Sequence, residues 1–170
     1  MPNDGSLSGL IGRYRTRGVL VDSNLLVGFV IGAMDRRLLK SCRALLKAFT
    51  PEDFDLLVDT LGAFDLIVTT PHVLTEVSNL GGKLDRQLHG RFREALSKLI
   101  LSRLREETAE ARLIVANPSF PAFGLTDTAI QVLAPGKYLV LTDELALAGI
   151  LQRRGVDVLN FNHLRMASLT

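Results

Sequence analysis

Gly18-Val-Leu-Val-Asp22-Ser-Asn24 constrains the fold of this chain more than any other stretch. Val19, Leu20 and Val21 read as a short buried strand, and Asp22 follows at once. Leu25 to Ile31 is then an apolar run too continuous for a loop. The pattern is a strand, an acid at its carboxyl end, then a helix. In open parallel sheets, ligands bind in the crevice outside the carboxyl ends of the strands. Asp22, with the amide of Asn24 two residues on, is therefore a candidate opening of a metal site. The same residues have a second use: Asp22 or Ser23 suits a helix N-cap.

Strands of this kind, buried on both faces, need a sizeable core. The 170 residues suffice for one domain, and the 47% hydrophobic content suits an α/β protein. Twenty basic and 18 acidic residues leave a net charge of +2, which neither demands nor excludes a nucleic acid partner. One cysteine, Cys42, excludes an internal disulfide and a Cys-rich zinc site, and points to a reducing compartment. No signal peptide and no membrane-length apolar run are visible, so the expected location is cytoplasmic, with no membrane partner.

Along the chain, residues 1–17 read as a flexible arm in which Arg13, Arg15 and Arg17 alternate with Tyr14 and Thr16. Asp35 to Phe49 reads as one amphipathic helix. Arg36, Lys40, Arg43 and Lys47 recur along it at steps of four, three and four, a basic stripe suited to an RNA backbone or simply to solvent. Thr50-Pro51 opens another helix, ended at Gly62. Asp65–Thr69 is a second strand, and Thr70-Pro71 opens the helix that carries Glu76 and, three residues on, Asn79. Asp85 to Arg112 reads as the longest helix, Leu113–Val115 as a short strand and Asn117–Pro121 as irregular. Gly124 gives a turn before a helix opening at Thr126 or Asp127. Lys137–Thr142 is a clear strand followed by Asp143 and Glu144; Leu145–Arg154 is a helix, and Val156–Phe161 the last strand. Alternating strands and helices predict a parallel sheet with right-handed crossovers.

Acids thus recur where such a sheet gathers them. Asp22 and Asp143 each end a strand, and Glu76 and Asp127 each sit early in a helix. Clustered carboxylates repel, so bringing them together calls for a compensating cation. Hard oxygen ligands favour Mg²⁺ or Mn²⁺ over zinc. His72, His89 and His163 lack metal-ligand spacing and read as surface or packing residues, and no Gly-rich phosphate loop is present.

These pieces resemble the PIN-domain ribonucleases: Val21-Asp22-Ser23-Asn24, Pro71-His-Val-Leu-Thr-Glu76-Val77, Phe123-Gly-Leu-Thr-Asp127 and Leu139-Val-Leu-Thr142-Asp143-Glu144. In order, they span about residues 18 to 161. The resemblance implies a three-layer α/β/α sandwich with a central, mostly parallel sheet of four or five strands. It implies a nuclease domain over 18–162 and a tail over 163–170. Asp22, Glu76, Asp127 and a fourth acid would be catalytic and would hold Mg²⁺ or Mn²⁺, with Asn24 and Thr142 in support. Asp143 is favoured for the fourth place, with Glu144 as its alternative. The implied activity is hydrolysis of phosphodiesters in single-stranded or loop RNA, as in toxins of toxin–antitoxin pairs. RNA, an antitoxin protein and a second copy of the chain are the candidate partners. A non-catalytic PIN-like scaffold that binds RNA or protein is the alternative. A receiver- or phosphatase-like protein would need a further acid or a basic phosphate ligand beside Asp22, and Ser23-Asn24 supplies neither.

Overall fold

A computed structural model describes residues 6–46 and 49–168. In chain order the elements are α1 (Leu7–Tyr14), β1 (Val19–Val21), α2 (Ser23–Met34), α3 (Leu38–Ser41), α4 (Arg43–Leu46), α5 (Pro51–Gly62) and β2 (Ile67–Thr69). They continue with α6 (Pro71–Gly81), a 3-10 turn (Arg86–Leu88), α7 (His89–Arg103), β3 (Leu104–Glu106), α8 (Ala111–Val115) and α9 (Phe120–Leu133). Last come β4 (Leu139–Thr142), α10 (Leu145–Arg153), β5 (Val158–Asn160) and α11 (Phe161–Ser168).

The strands form one sheet in the order β3-β2-β1-β4-β5, and every pairing is parallel. Helices cover it to give the expected three-layer α/β/α sandwich. α2 packs with α5, α6 and α7, and α9 packs with α8 and α10. The centre of the sheet is dry: Val19, Leu20, Val21, Leu139, Val140 and Leu141 are fully buried. Each such side chain contributes about 1.5–3 kcal/mol relative to exposure. The strand order reverses between β1 and β4, and that is where a doubly wound sheet opens a crevice at its carboxyl edge.

Local chemistry sets the element starts. Thr50 caps α5 in a reciprocal capping box with Asp53, and Thr70 caps α6, each ahead of a proline. Five sequence expectations are corrected. The expected flexible arm contains α1, because Leu7, Leu10, Ile11 and Tyr14 share a helix face behind the Ser6 cap. Tyr14 is buried, and its hydroxyl donates to Asp157 at 2.9 Å beside the Arg13–Asp157 ion pair at 2.6 Å. The expected Asp35–Phe49 helix is broken at Cys42 into α3 and α4. The expected Asp85–Arg112 helix ends at Arg103, where Leu104-Arg-Glu106 pairs with β2 as an edge strand. Its charge hid it, and charge is what edge strands carry against unwanted pairing. Leu113–Val115 is helical, with only Ile114 buried. Of the expected tail, residues 163–168 are helical, since α11 runs Phe161–Ser168.

Candidate functional site

β1 delivers Asp22 to the carboxyl edge of the sheet, where it is 3% exposed. It caps α2: Oδ1 accepts from the Leu25 N–H at 3.0 Å. The cap uses one oxygen only. Oδ2 accepts from the Thr142 hydroxyl and from the Asp143 N–H at 3.2 Å, both on or just after β4. The two uses the sequence allowed for Asp22 are therefore compatible in one side chain. Thr142, fully buried, also accepts the Glu144 N–H at 3.0 Å, and Asn24 Nδ2 donates to Glu144 Oε1 at 3.2 Å. Asn24 and Thr142 thus both hydrogen-bond to carboxylates of this group.

Glu76 projects from α6, and Asp127 follows the kink in α9. At the kink Gly124 takes φ +70, a conformation natural to glycine, and the helix resumes with Asp127 in its first turn. α6 and α9 touch each other, and between them and the strand ends lies a cleft of about 610 Å³. Asp22, Asn24, Glu76, Asp127 and Glu144 all line it. Of the two fourth-acid candidates, Glu144 lines this cleft and Asp143 does not. Asp143 lines two smaller clefts, one with Leu46 and Phe49 and one with Asn162 and Arg165, and its Oδ1 is buried without a partner. Glu144, which also borders the second of these clefts, is thus the acid of the pair that shares the larger cleft with Asp22, Glu76 and Asp127.

The electrostatics follow from burial and crowding. Desolvation first, and then the Asp143 charge, push Asp22 up to about 8 against its three hydrogen bonds. Desolvation, then Glu144, then Glu76, push Asp127 up to about 7. Among the described residues the cleft lining contains no Lys or Arg. Such a group is stabilised in its charged form by a cation. Among the described residues no three His, Cys, Asp or Glu side chains stand as a closed ligand set. The fit to a divalent cation rests on the donors themselves: carboxylate oxygens of the hard type that Mg²⁺ and Mn²⁺ take, two of them held near neutrality by repulsion and burial.

The cleft also holds residues the sequence reading passed over. His72, taken as a surface or packing residue, lines the cleft one helical turn before Glu76, with its Nδ1 buried and unpartnered. The i, i+4 spacing of His72 and Glu76 was the available signal. Thr75, Phe123 and Leu125 complete the wall with Asn79. Of the basic stripe, neither Arg36 nor Lys40 lines the cleft, and Arg36 pairs with Asp55 at 2.5 Å. Lys47 and the side chain of Arg43 fall outside the described residues. Comparison of the chain with protein-family models and with curated proteins finds no match.

Proposed function

We propose that the chain is a divalent-metal-dependent endoribonuclease of PIN type that hydrolyses single-stranded or loop RNA. The observation that carries this reading is the convergence of Asp22, Glu76, Asp127 and Glu144 on one cleft at the switch point of a parallel sheet. These four would hold Mg²⁺ or Mn²⁺, with Asp143 outside the set. When bound, such an ion lowers the pKa of a water and offsets charge on a phosphoryl oxygen.

The residues divide the remaining work. Asp22 cannot swing, because three donors hold its two oxygens. Asn24 orients Glu144 through one hydrogen bond. A carboxylate of the set that is not neutralised accepts the proton of the attacking water. Phe123 gives the cleft an aromatic face on which an unpaired base can stack, which suits single-stranded RNA. A toxin role, an antitoxin partner, a homodimer and a cytoplasmic location belong to the same proposal. Among the described residues no helix is long and apolar enough to cross a membrane.

The test is cleavage of a single-stranded RNA panel by purified protein with Mn²⁺, beside a chelator control and Asp22→Asn. The reading expects cleavage that both the chelator and the substitution abolish. Equal cutting by wild type and variant would assign the activity to a contaminant. RNA binding by both without cutting would leave a scaffold.

A further inference from the structure

The C-terminal helix reaches the acidic turn through a chain of hydrogen bonds. Asn162, the second residue of α11, donates from Nδ2 to the Asp143 carbonyl at 2.7 Å. Its Oδ1 accepts from Arg165 Nη1 at 2.9 Å. Arg165 Nε donates to Asp53 Oδ1 at 2.9 Å, and its guanidinium lies 4.9 Å from the Phe161 ring centre and 5.6 Å from that of Phe49. Asp53 is itself fixed, its Oδ2 accepting the Thr50 N–H at 2.8 Å. Arg165 is therefore committed to partners within the protein rather than offered to a substrate.

On its other side the same turn meets the cleft. The Asp143 N–H holds Asp22, and the Glu144 N–H holds Thr142. Residue 143 is thus gripped twice, its N–H by Asp22 and its carbonyl by Asn162. Without the second grip the Asp143 carbonyl loses its side-chain partner, and the turn that carries Glu144 is held only by the bonds to Asp22, Thr142 and Asn24. We propose that Asn162 and Arg165 are positioning residues: Asn162 clamps the Asp143–Glu144 turn so that Glu144 faces the cleft, and Arg165 orients Asn162. The consequence for cation binding rests on the reading of the cleft given above; the clamp itself does not. Groups that orient metal ligands typically change affinity by about 10–100-fold when removed.

The decisive variant is Asn162→Asp. It keeps the shape and keeps the oxygen that Arg165 grips, but replaces the amide donor with an acceptor. Arg13→Ala is the control, since it breaks an ion pair with Asp157, which lies at the amino end of β5, away from the carboxyl end where Asn162 follows that strand. Three quantities are read: exchange of the Asp143 and Glu144 amide hydrogens, Mn²⁺ affinity by calorimetry, and kcat against KM for RNA. Asn162→Asp should speed exchange at both amides about tenfold, weaken Mn²⁺ binding by at least about tenfold, and lower kcat while leaving KM nearly unchanged. Arg165→Lys keeps the charge beside Asp53 but loses the two-pronged grip, and should shift the same three readouts in the same direction by less. Arg13→Ala should move none of them. Unchanged exchange at Asp143 and Glu144 in Asn162→Asp overturns the clamp, whatever the metal result. If wild type binds no Mn²⁺, the cation reading falls by itself, and the exchange rates still decide the clamp.

Discussion

The two walls of the cleft are built on different principles. One wall is made at the ends of β1 and β4, where Asp22 and Thr142 are buried among fully buried strands and Asp22 accepts three hydrogen bonds. The other is made by helices, with Glu76 on α6 and Asp127 just past the Gly124 kink in α9. Both walls hold a carboxylate pushed toward neutrality, but Asp22 is more buried and is pushed further, to about 8 against about 7. The hydrogen bonds to Asp22 favour its charged form and still do not offset burial. The strand wall therefore supplies fixed geometry, and the helical wall supplies charge that follows the helices.

The largest expected effect separates the walls by catalysis. Asp22→Asn should reduce RNA hydrolysis by several orders of magnitude, because it removes the most tightly held charge from the set. Asp127→Asn should also impair cleavage, but by less, since Glu76 shares its wall. Equal losses in a cleavage time course would put the two walls on one footing and break the comparison.

Next is cation-linked stability. A ligand bound only by the folded state stabilises it by about 2.7 kcal/mol at a hundredfold excess over Kd. For a chain of this size that raises Tm by about 5–10 °C. Asp22→Asn should blunt the rise more than Asp127→Asn does. An unshifted melting curve at millimolar Mn²⁺ or Mg²⁺ would count against a shared ion.

The pH dependence without metal sharpens the same contrast. Both carboxylates have folded-state pKa values above the ordinary aspartate value of 3.8. Between pH 4 and their folded values the native state binds more protons than the unfolded state, so these two groups lower stability as pH rises. Their contribution is fully present below about 3.8, and is lost through about 7 for Asp127 and about 8 for Asp22. Metal-free Tm of wild type should thus decline from pH 5 to 8. Asp22→Asn should flatten the decline, most visibly above pH 7. A parallel decline in the variant would show that Asp22 is not the buried charge responsible.

The smallest effect lies outside both walls. Changing Arg36 and Lys40 to Glu should weaken RNA binding at low salt and leave Mn²⁺ affinity alone, since phosphate contacts are salt-sensitive. Arg36 is partly neutralised by Asp55, so the loss should be modest. Unchanged RNA binding at low ionic strength would make the stripe a solvated face.

The contrast between the walls also explains what was legible in the sequence. β1 and β4 are buried on both faces, so they must be continuous apolar runs, and each run is followed by its acid. That is why Asp22 and the Asp143–Glu144 pair stood out, and why the fold class followed. β3 is an exposed edge strand with the composition of a helix surface, and Leu104-Arg-Glu106 could not be told from the end of α7. The choice between Asp143 and Glu144 turns on which side of a turn each side chain takes, a matter of tertiary hydrogen bonds from Asn24 and Asn162. No local pattern encodes those bonds, because their partners lie 120 and 19 residues away. The α1 helix was hidden by Gly9, Gly12 and Arg13, although its apolar residues keep helical spacing.

On the proposed reading, the repelling carboxylates of both walls serve one shared cation. Calorimetric titration of Mn²⁺ at pH 7, repeated in buffers of different ionisation enthalpy, tests it most directly, because it counts the protons displaced on binding. Asp22 and Asp127, at about 8 and about 7, should together release about one proton or more per ion, falling toward zero by pH 9. Asp22→Asn should cut both the affinity and the proton count. Binding with no proton release at pH 7, equally strong in Asp22→Asn, would place the ion elsewhere and contradict the account.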